Sequence, residues 1–90
     1  GLVFSPATGI CWIQTDDGAY TDKTNCMLLA AMPGRVGDGA PVKIKAGDKE
    51  VTTYAGKPQT PATLRRFLVG PRGAEITGIT ETPDGRAIFV

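Results

Sequence analysis

The sequence predicts an all-β fold made of antiparallel hairpins, and three observations lead there. Gly 12 and Pro 7 in a chain of 90 residues break it into short segments without reaching a disordered composition. Those segments are apolar or alternating runs of strand length, and no long helical periodicity runs through them. Turn chemistry recurs between them at short intervals. Such a series suits a sandwich, a barrel or a propeller. Ninety residues and 9.4 kDa allow one domain at most, with a thin core.

Residues 2–4, Leu-Val-Phe, form a short apolar strand closed by Ser5-Pro6-Ala7-Thr8-Gly9. Residues 10–15 return as its hairpin partner. Asp16-Asp17-Gly18 ends that strand with turn formers, and residues 20–25 are polar and irregular. Met27-Leu28-Leu29-Ala30-Ala31 fits helix or buried strand by pattern, but at five residues before Pro33-Gly34 it is too short for a useful helix. It reads as a buried strand. Residues 33–41 are Gly-rich loop. Val42, Ile44 and Ala46 alternate with Lys43, Lys45 and Gly47, which predicts one buried face and one solvated face. Gly47-Asp48-Lys49 turns the chain, and residues 50–54 complete a second hairpin.

Residues 56–61 are loop, and 64–69 read as strand after an optional helical turn at 61–63. Gly70-Pro71-Arg72-Gly73 is a further turn. Residues 75–80 read as a strand interrupted by Gly78, where the opposite parity of Ile76 and Ile79 suggests a bulge. Thr82-Pro83-Asp84-Gly85-Arg86 combines Pro rigidity, Asp capping and Gly permissiveness in one turn. Residues 87–90 then begin another strand. A chain that opens on Gly1 and closes on this apolar run reads as an excised piece of a larger β protein. The segments "GLVFSPATGICWI" and "GITETPDGRAIFV" echo each other as Gly, short strand, Pro-containing turn and apolar strand. Successive propeller blades supply hairpins in that way.

Composition narrows function. A formal net charge of +1, from 10 Lys and Arg against 9 Asp and Glu, argues against a nucleic-acid partner, because such domains carry a basic stripe. Arg65 and Arg66 are adjacent cations that point to opposite faces of a strand. No apolar run approaches the roughly 20 residues of a membrane span. The absence of His rules out Ser-His-Asp and Cys-His catalysis within the chain, and imidazole zinc sites with them. Any cation held here sits mainly on carboxylates, which favours hard ions such as calcium or magnesium. Cys11 and Cys26 read as small core hydrophobes, with a disulfide between them left open.

Three stretches carry a family resemblance: "WIQTDDG" at 12–18, "MLLAAMPGRVGDG" at 27–39 and "LRRFLVGPRGAEITGITETPDGRAIFV" at 64–90. Together with the opening "GLVFSPATGICWIQTD" they resemble the carboxy-terminal part of the PhoX-type alkaline phosphatases. The match runs in order along nearly the whole chain, with a variable hairpin insertion near 42–62. The resemblance implies one to two blades of a β-propeller from a secreted bacterial enzyme, periplasmic or extracellular, with calcium and iron at its active centre and a phosphate ester as substrate. Members of that family continue into a Gln-His-Pro-Gly segment, and their iron-ligating Cys lies upstream; neither Cys11 nor Cys26 matches it. Glu81 stands where an apolar or small residue is usual.

Asp16 is the first candidate metal ligand. Its strand has a mostly apolar body that holds it still, but by residues alone it reads first as a turn Asp completed by Asp17-Gly18. The resemblance puts the acidic residue of this motif at the metal centre. Glu75 is the second candidate, a charge opening an apolar strand, which is either solvent-facing or ligating. Arg72 and Lys57 read as solvated loop cations before phosphate binders. Residues 34–39 lack the Gly-Lys-Ser/Thr ending of a phosphate loop and precede no helix. Asp38 and Asp48 are turn carboxylates, and Trp12 and Tyr54 are packing residues.

The expectation is therefore a fragment of a calcium- and iron-dependent phosphomonoesterase, inactive alone and binding no metal tightly by itself. The alternative is a non-catalytic extracellular β module for binding or self-association. Under either reading, exposed strand edges at 2–4 and 88–90 favour self-association.

Overall fold

The computed structural model describes residues 1–32 and 40–90. Eight strands, all paired antiparallel, carry the fold: β1 Leu2–Phe4, β2 Cys11–Gln14, β3 Met27–Ala31, β4 Pro41–Ala46, β5 Lys49–Tyr54, β6 Leu64–Val69, β7 Thr80–Glu81 and β8 Ile88–Phe89. A single 3-10 turn spans Gly18–Tyr20, and no α-helix occurs among the described residues. The Gly-rich loop expected over 33–41, the phosphate loop rejected at 34–39 and the turn role of Asp38 fall, up to residue 39, outside the described residues.

The main sheet has the order β1-β2-β3-β6. Leu2 pairs with Ile13, Ile13 with Leu29, and Leu29 with Arg66. β3 and β6 pair directly although the whole β4–β5 hairpin lies between them in sequence. Met27–Ala31 is the strand that the sequence suggested, because paired strands on both sides satisfy its backbone.

One face of this sheet is covered. Trp12, Cys26, Leu28 and Ile76 form the core, with Ile10, Ala30, Ile79 and Ile88 packed against it. Leu28 is the one large side chain that is fully buried. The Phe67 ring meets Trp12 edge-on, with centroids 4.9 Å apart and planes at 65°, an arrangement aromatic quadrupoles favour. The cover comes from residues 76–88, which cross the face and end in the β7–β8 hairpin. Its turn seats on the first hairpin's turn. The Ser5 hydroxyl donates to Glu81 Oε2 at 2.7 Å, and a Cβ on Gly85 would lie 2.7 Å from that of Ala7. The two segments that echo in sequence thus lie against each other.

Four expectations need correction. The strand expected over 75–80 is reduced to Thr80–Glu81, because residues 75–79 have no partner strand to share a ladder with. Gly78 is accordingly no bulge; it holds φ 64° in irregular chain, a conformation Gly adopts without steric penalty. The irregularity lies in β6 instead, where Leu28 faces Leu68 and Leu29 faces Arg66, so the ladder skips Phe67. The buried face expected for β4 is absent: Val42, Ile44 and Val51 are exposed. Their alternation is intact, but among the described residues β4 and β5 pair only with each other and no second layer covers them. Tyr54 packs into no core and is 70% exposed.

Both cysteines are buried and free. Cys11 faces Ala31 at one end of β3, while Cys26 precedes Met27 at the other. At roughly 3.3 Å per residue, that separates them by about 16 Å, well beyond disulfide reach. The open disulfide alternative is thereby closed.

Candidate metal centre

β2 ends at Gln14, and the next three residues take different tasks. Thr15 continues the ladder: its N–H donates to Met27 O at 3.0 Å, and its hydroxyl accepts from Met27 N–H at 2.9 Å. Asp17 caps the 3-10 turn, its Oδ1 accepting from Ala19 N–H at 2.8 Å, as short polar side chains do at such starts. Asp16 lies between them and is exposed. Two fixed neighbours hold its backbone, while its carboxylate is left to solvent or a cation.

Glu75 is exposed as well, and it precedes the buried Ile76. Ile76 N–H donates to Thr15 O at 3.4 Å. Asp16 and Glu75 are each one peptide unit away from that contact, so the fold brings the backbone of the two sequence candidates near each other from distant parts of the chain. Local pattern did not reveal this proximity. It depends on residues 74–76 folding back onto the end of β2.

Carboxylates of this kind suit a hard cation, which takes oxygen ligands. Calcium fits the donor chemistry of the pair. No imidazole is available to iron, since the chain has no His, and Cys26 belongs to the buried core. No group of three or more His, Cys, Asp or Glu residues stands together among the described residues. Calcium binding sites use six to eight oxygens, more than these two carboxylates supply.

The other charged candidates make no side-chain hydrogen bond or ion pair among the described residues. Arg72, Lys57 and Asp48 are all exposed, with Asp48 in the β4–β5 turn. The carboxyl with a displaced titration is Asp84, in the β7–β8 turn. The Thr82 hydroxyl donates to its Oδ1 at 2.6 Å and Arg86 N–H does so at 3.2 Å. These bonds favour the charged form and hold it below its ordinary value of 3.8. It is a turn device.

Sequence reasoning missed the residues that hold the acidic pair. A cavity of about 190 Å³ is lined by Thr15, Asp17, Tyr20, Thr24, Asn25 and Cys26 among others. Asn25 Nδ2 donates to Gly70 O at 3.0 Å, and Gly70 N–H donates to Cys26 O at 2.9 Å. Gly70 before Pro71 looks like any loop Gly in sequence; only the approach of Ile76 gives it a reason.

Among the described residues no helix is long and apolar enough to cross a membrane. A family model described as alkaline phosphatase PhoX matches residues 1–90, the entire chain. No curated protein and no solved structure matches it.

Proposed function

We infer, since this chain belongs to the alkaline phosphatase PhoX family, that it serves hydrolysis of phosphate monoesters by a metal-dependent enzyme acting in the periplasm or outside the cell. The observation carrying this reading is that the family match spans every residue. The four-stranded antiparallel sheet, with a second hairpin laid across it, is read as one blade and the start of the next in a propeller. The β4–β5 hairpin near 42–62 is read as an insertion in that blade.

Asp16 and Glu75 are the residues assigned to the cation centre. Bound calcium and iron would neutralise phosphate charge and make water a stronger nucleophile. The task of this chain is narrower: to hold two carboxylates at the mouth of one strand end, oriented by Thr15 and by the buried Ile76. With fewer than three candidate ligands together among the described residues, the centre is completed by residues beyond this set. The chain alone binds these metals weakly.

The chain as it stands, supplied with calcium and iron, should not hydrolyse p-nitrophenyl phosphate above a metal-only control. Turnover above that control would sink the idea of a divided site.

A second reading, a non-catalytic β module that associates with itself, is favoured by one observation. Leu2 and Phe4 on the edge strand β1, and Phe89 in β8, are 57 to 64% exposed, and open apolar edges invite pairing. In the phosphatase reading, these positions are covered by the rest of the enzyme. The isolated chain then oligomerises under both readings, and a clean monomer by light scattering would contradict that expectation.

A further inference from the structure

We propose that Thr15 and Gly70 are positioning residues that set Glu75 beside Asp16, an inference resting on the reading that both carboxylates serve the cation centre. Residues 71–79 form no strand, and Ile76 is the buried residue among them. The place of Glu75 is therefore decided by where Ile76 is anchored.

That anchor has two parts. The first is the Thr15 carbonyl, which accepts from Ile76 N–H at 3.4 Å, long for such a bond and correspondingly weak. The second is a notch at Gly70. A Cβ there would lie 2.9 Å from Ile76 Cδ1 and 3.3 Å from Cys26 O, so a side chain at this position has to shift the tip of Ile76 and crowds the Cys26 carbonyl. Gly70 keeps an ordinary negative φ, since it is not among the residues with positive φ. Gly is required there by close approach, not by backbone conformation.

Both parts are tied to one short spine, Asn25-Cys26-Met27. Thr15 is bound to Met27 through its N–H and its hydroxyl, and Gly70 is bound to Cys26 O and to the Asn25 side chain. Asp16 follows the first clamp directly. Glu75 follows the second through Ile76. One three-residue spine thus sets the spacing of two carboxylates that are 59 positions apart in the chain. Groups that orient a ligand without touching the metal are worth roughly 10 to 100-fold in affinity.

Terbium is an oxygen-seeking probe for calcium sites, and its luminescence reports binding without catalysis. It is titrated into the 90-residue chain and its variants, with the near-ultraviolet circular dichroism of Trp12 recording the folded fraction. Asp16→Asn and Glu75→Gln should each weaken binding. Thr15→Val, which removes the acceptor for Met27 N–H, and Gly70→Ala should each weaken it about tenfold in samples with the wild-type Trp12 signal. Thr15→Ser, which keeps the hydroxyl, should restore wild-type affinity. If Thr15→Val or Gly70→Ala loses the Trp12 signal, Ile76→Val takes its place, and it should weaken terbium binding in the same direction. Wild-type affinity in the folded Thr15, Gly70 or Ile76 variants, with Asp16→Asn and Glu75→Gln impaired, overturns the positioning role alone. Unchanged binding in Asp16→Asn and Glu75→Gln overturns the cation reading beneath it.

Discussion

The β1-β2-β3-β6 sheet and the β4–β5 hairpin share one pairing rule and reach opposite ends. Both are antiparallel; the sheet's inner strands are largely apolar runs such as Met27–Ala31, while β4 alternates apolar with polar residues. In the sheet, the face bearing Trp12 and Leu28 is closed by Ile76, Ile79 and Ile88. In the hairpin, the face bearing Val42, Ile44 and Val51 meets nothing among the described residues and stays exposed. Alternation therefore specifies that a strand has an apolar face; only a second layer buries it. An isolated two-stranded hairpin is marginal in water, and this one holds a regular six-pair register with its apolar face open.

The largest expected difference follows from core against open face. Leu28→Ala should cost about 2–5 kcal/mol, enough to unfold a chain with a core this thin. Ile44→Ala should stay within about 0.5 kcal/mol. Urea denaturation followed by Trp12 fluorescence reads both. Comparable losses at the two positions would mean that the hairpin face is covered in solution.

The turns sharpen the comparison further. Gly85 and Gly47 hold nearly the same backbone, φ 67° and 65°. Gly85 sits against Ala7, with Ala7 Cβ 2.7 Å from an added Cβ, whereas Gly47 has nothing within 4 Å. Ala at Gly47 carries the conformational strain alone, about 1 kcal/mol. Ala at Gly85 carries that strain and the displacement of one hairpin from the other. The same denaturation experiment should rank Gly85→Ala clearly worse, and equal losses would show that the two turns do not seat on each other.

A smaller effect lies in the β7–β8 turn. Asp84 is held below 3.8 by the Thr82 hydroxyl first and the Arg86 N–H second. A carboxyl depressed in the folded state stabilises the turn above the unfolded value, and that contribution is lost as pH falls from 3.8 through the folded value. Because the group is fully solvent-exposed, global stability should hardly register it. Carboxyl-carbon NMR should place its midpoint below 3.8, with Thr82→Ala moving it upward. A midpoint at or above 3.8 would deny the hydrogen bonds any hold on the turn.

Much of the strand layout was legible in the residues. Leu2–Phe4 and Met27–Ala31 are apolar runs of strand length, and Leu64–Val69 stops at the breaker Gly70-Pro71, which are local signals. The failures share one cause. Residues 75–79 look like a strand but lack a ladder partner, and Val42 to Ala46 looks half-buried but lacks a second layer. Both facts depend on distant chain. The site divides in the same way. Asp16 and Glu75 were readable as acids at notable places, with the family resemblance supplying the reason to join them. Their proximity through Thr15 and Ile76 was not readable, nor was the need for Gly70, since each depends on a fold-back between the second strand and the chain after the sixth.

Asp16 and Glu75 are proposed to work as one unit in a phosphatase centre completed by residues outside this set. The most direct test of that proposal is the kcat/KM for p-nitrophenyl phosphate of the intact enzyme carrying this chain, measured with Asp16→Asn, Glu75→Gln and both together. Residues acting as a unit are strongly non-additive. Each single change should therefore lower kcat/KM by at least about 100-fold, with the double variant little worse than either. Near wild-type turnover in Asp16→Asn, or losses that simply multiply in the double variant, would contradict it.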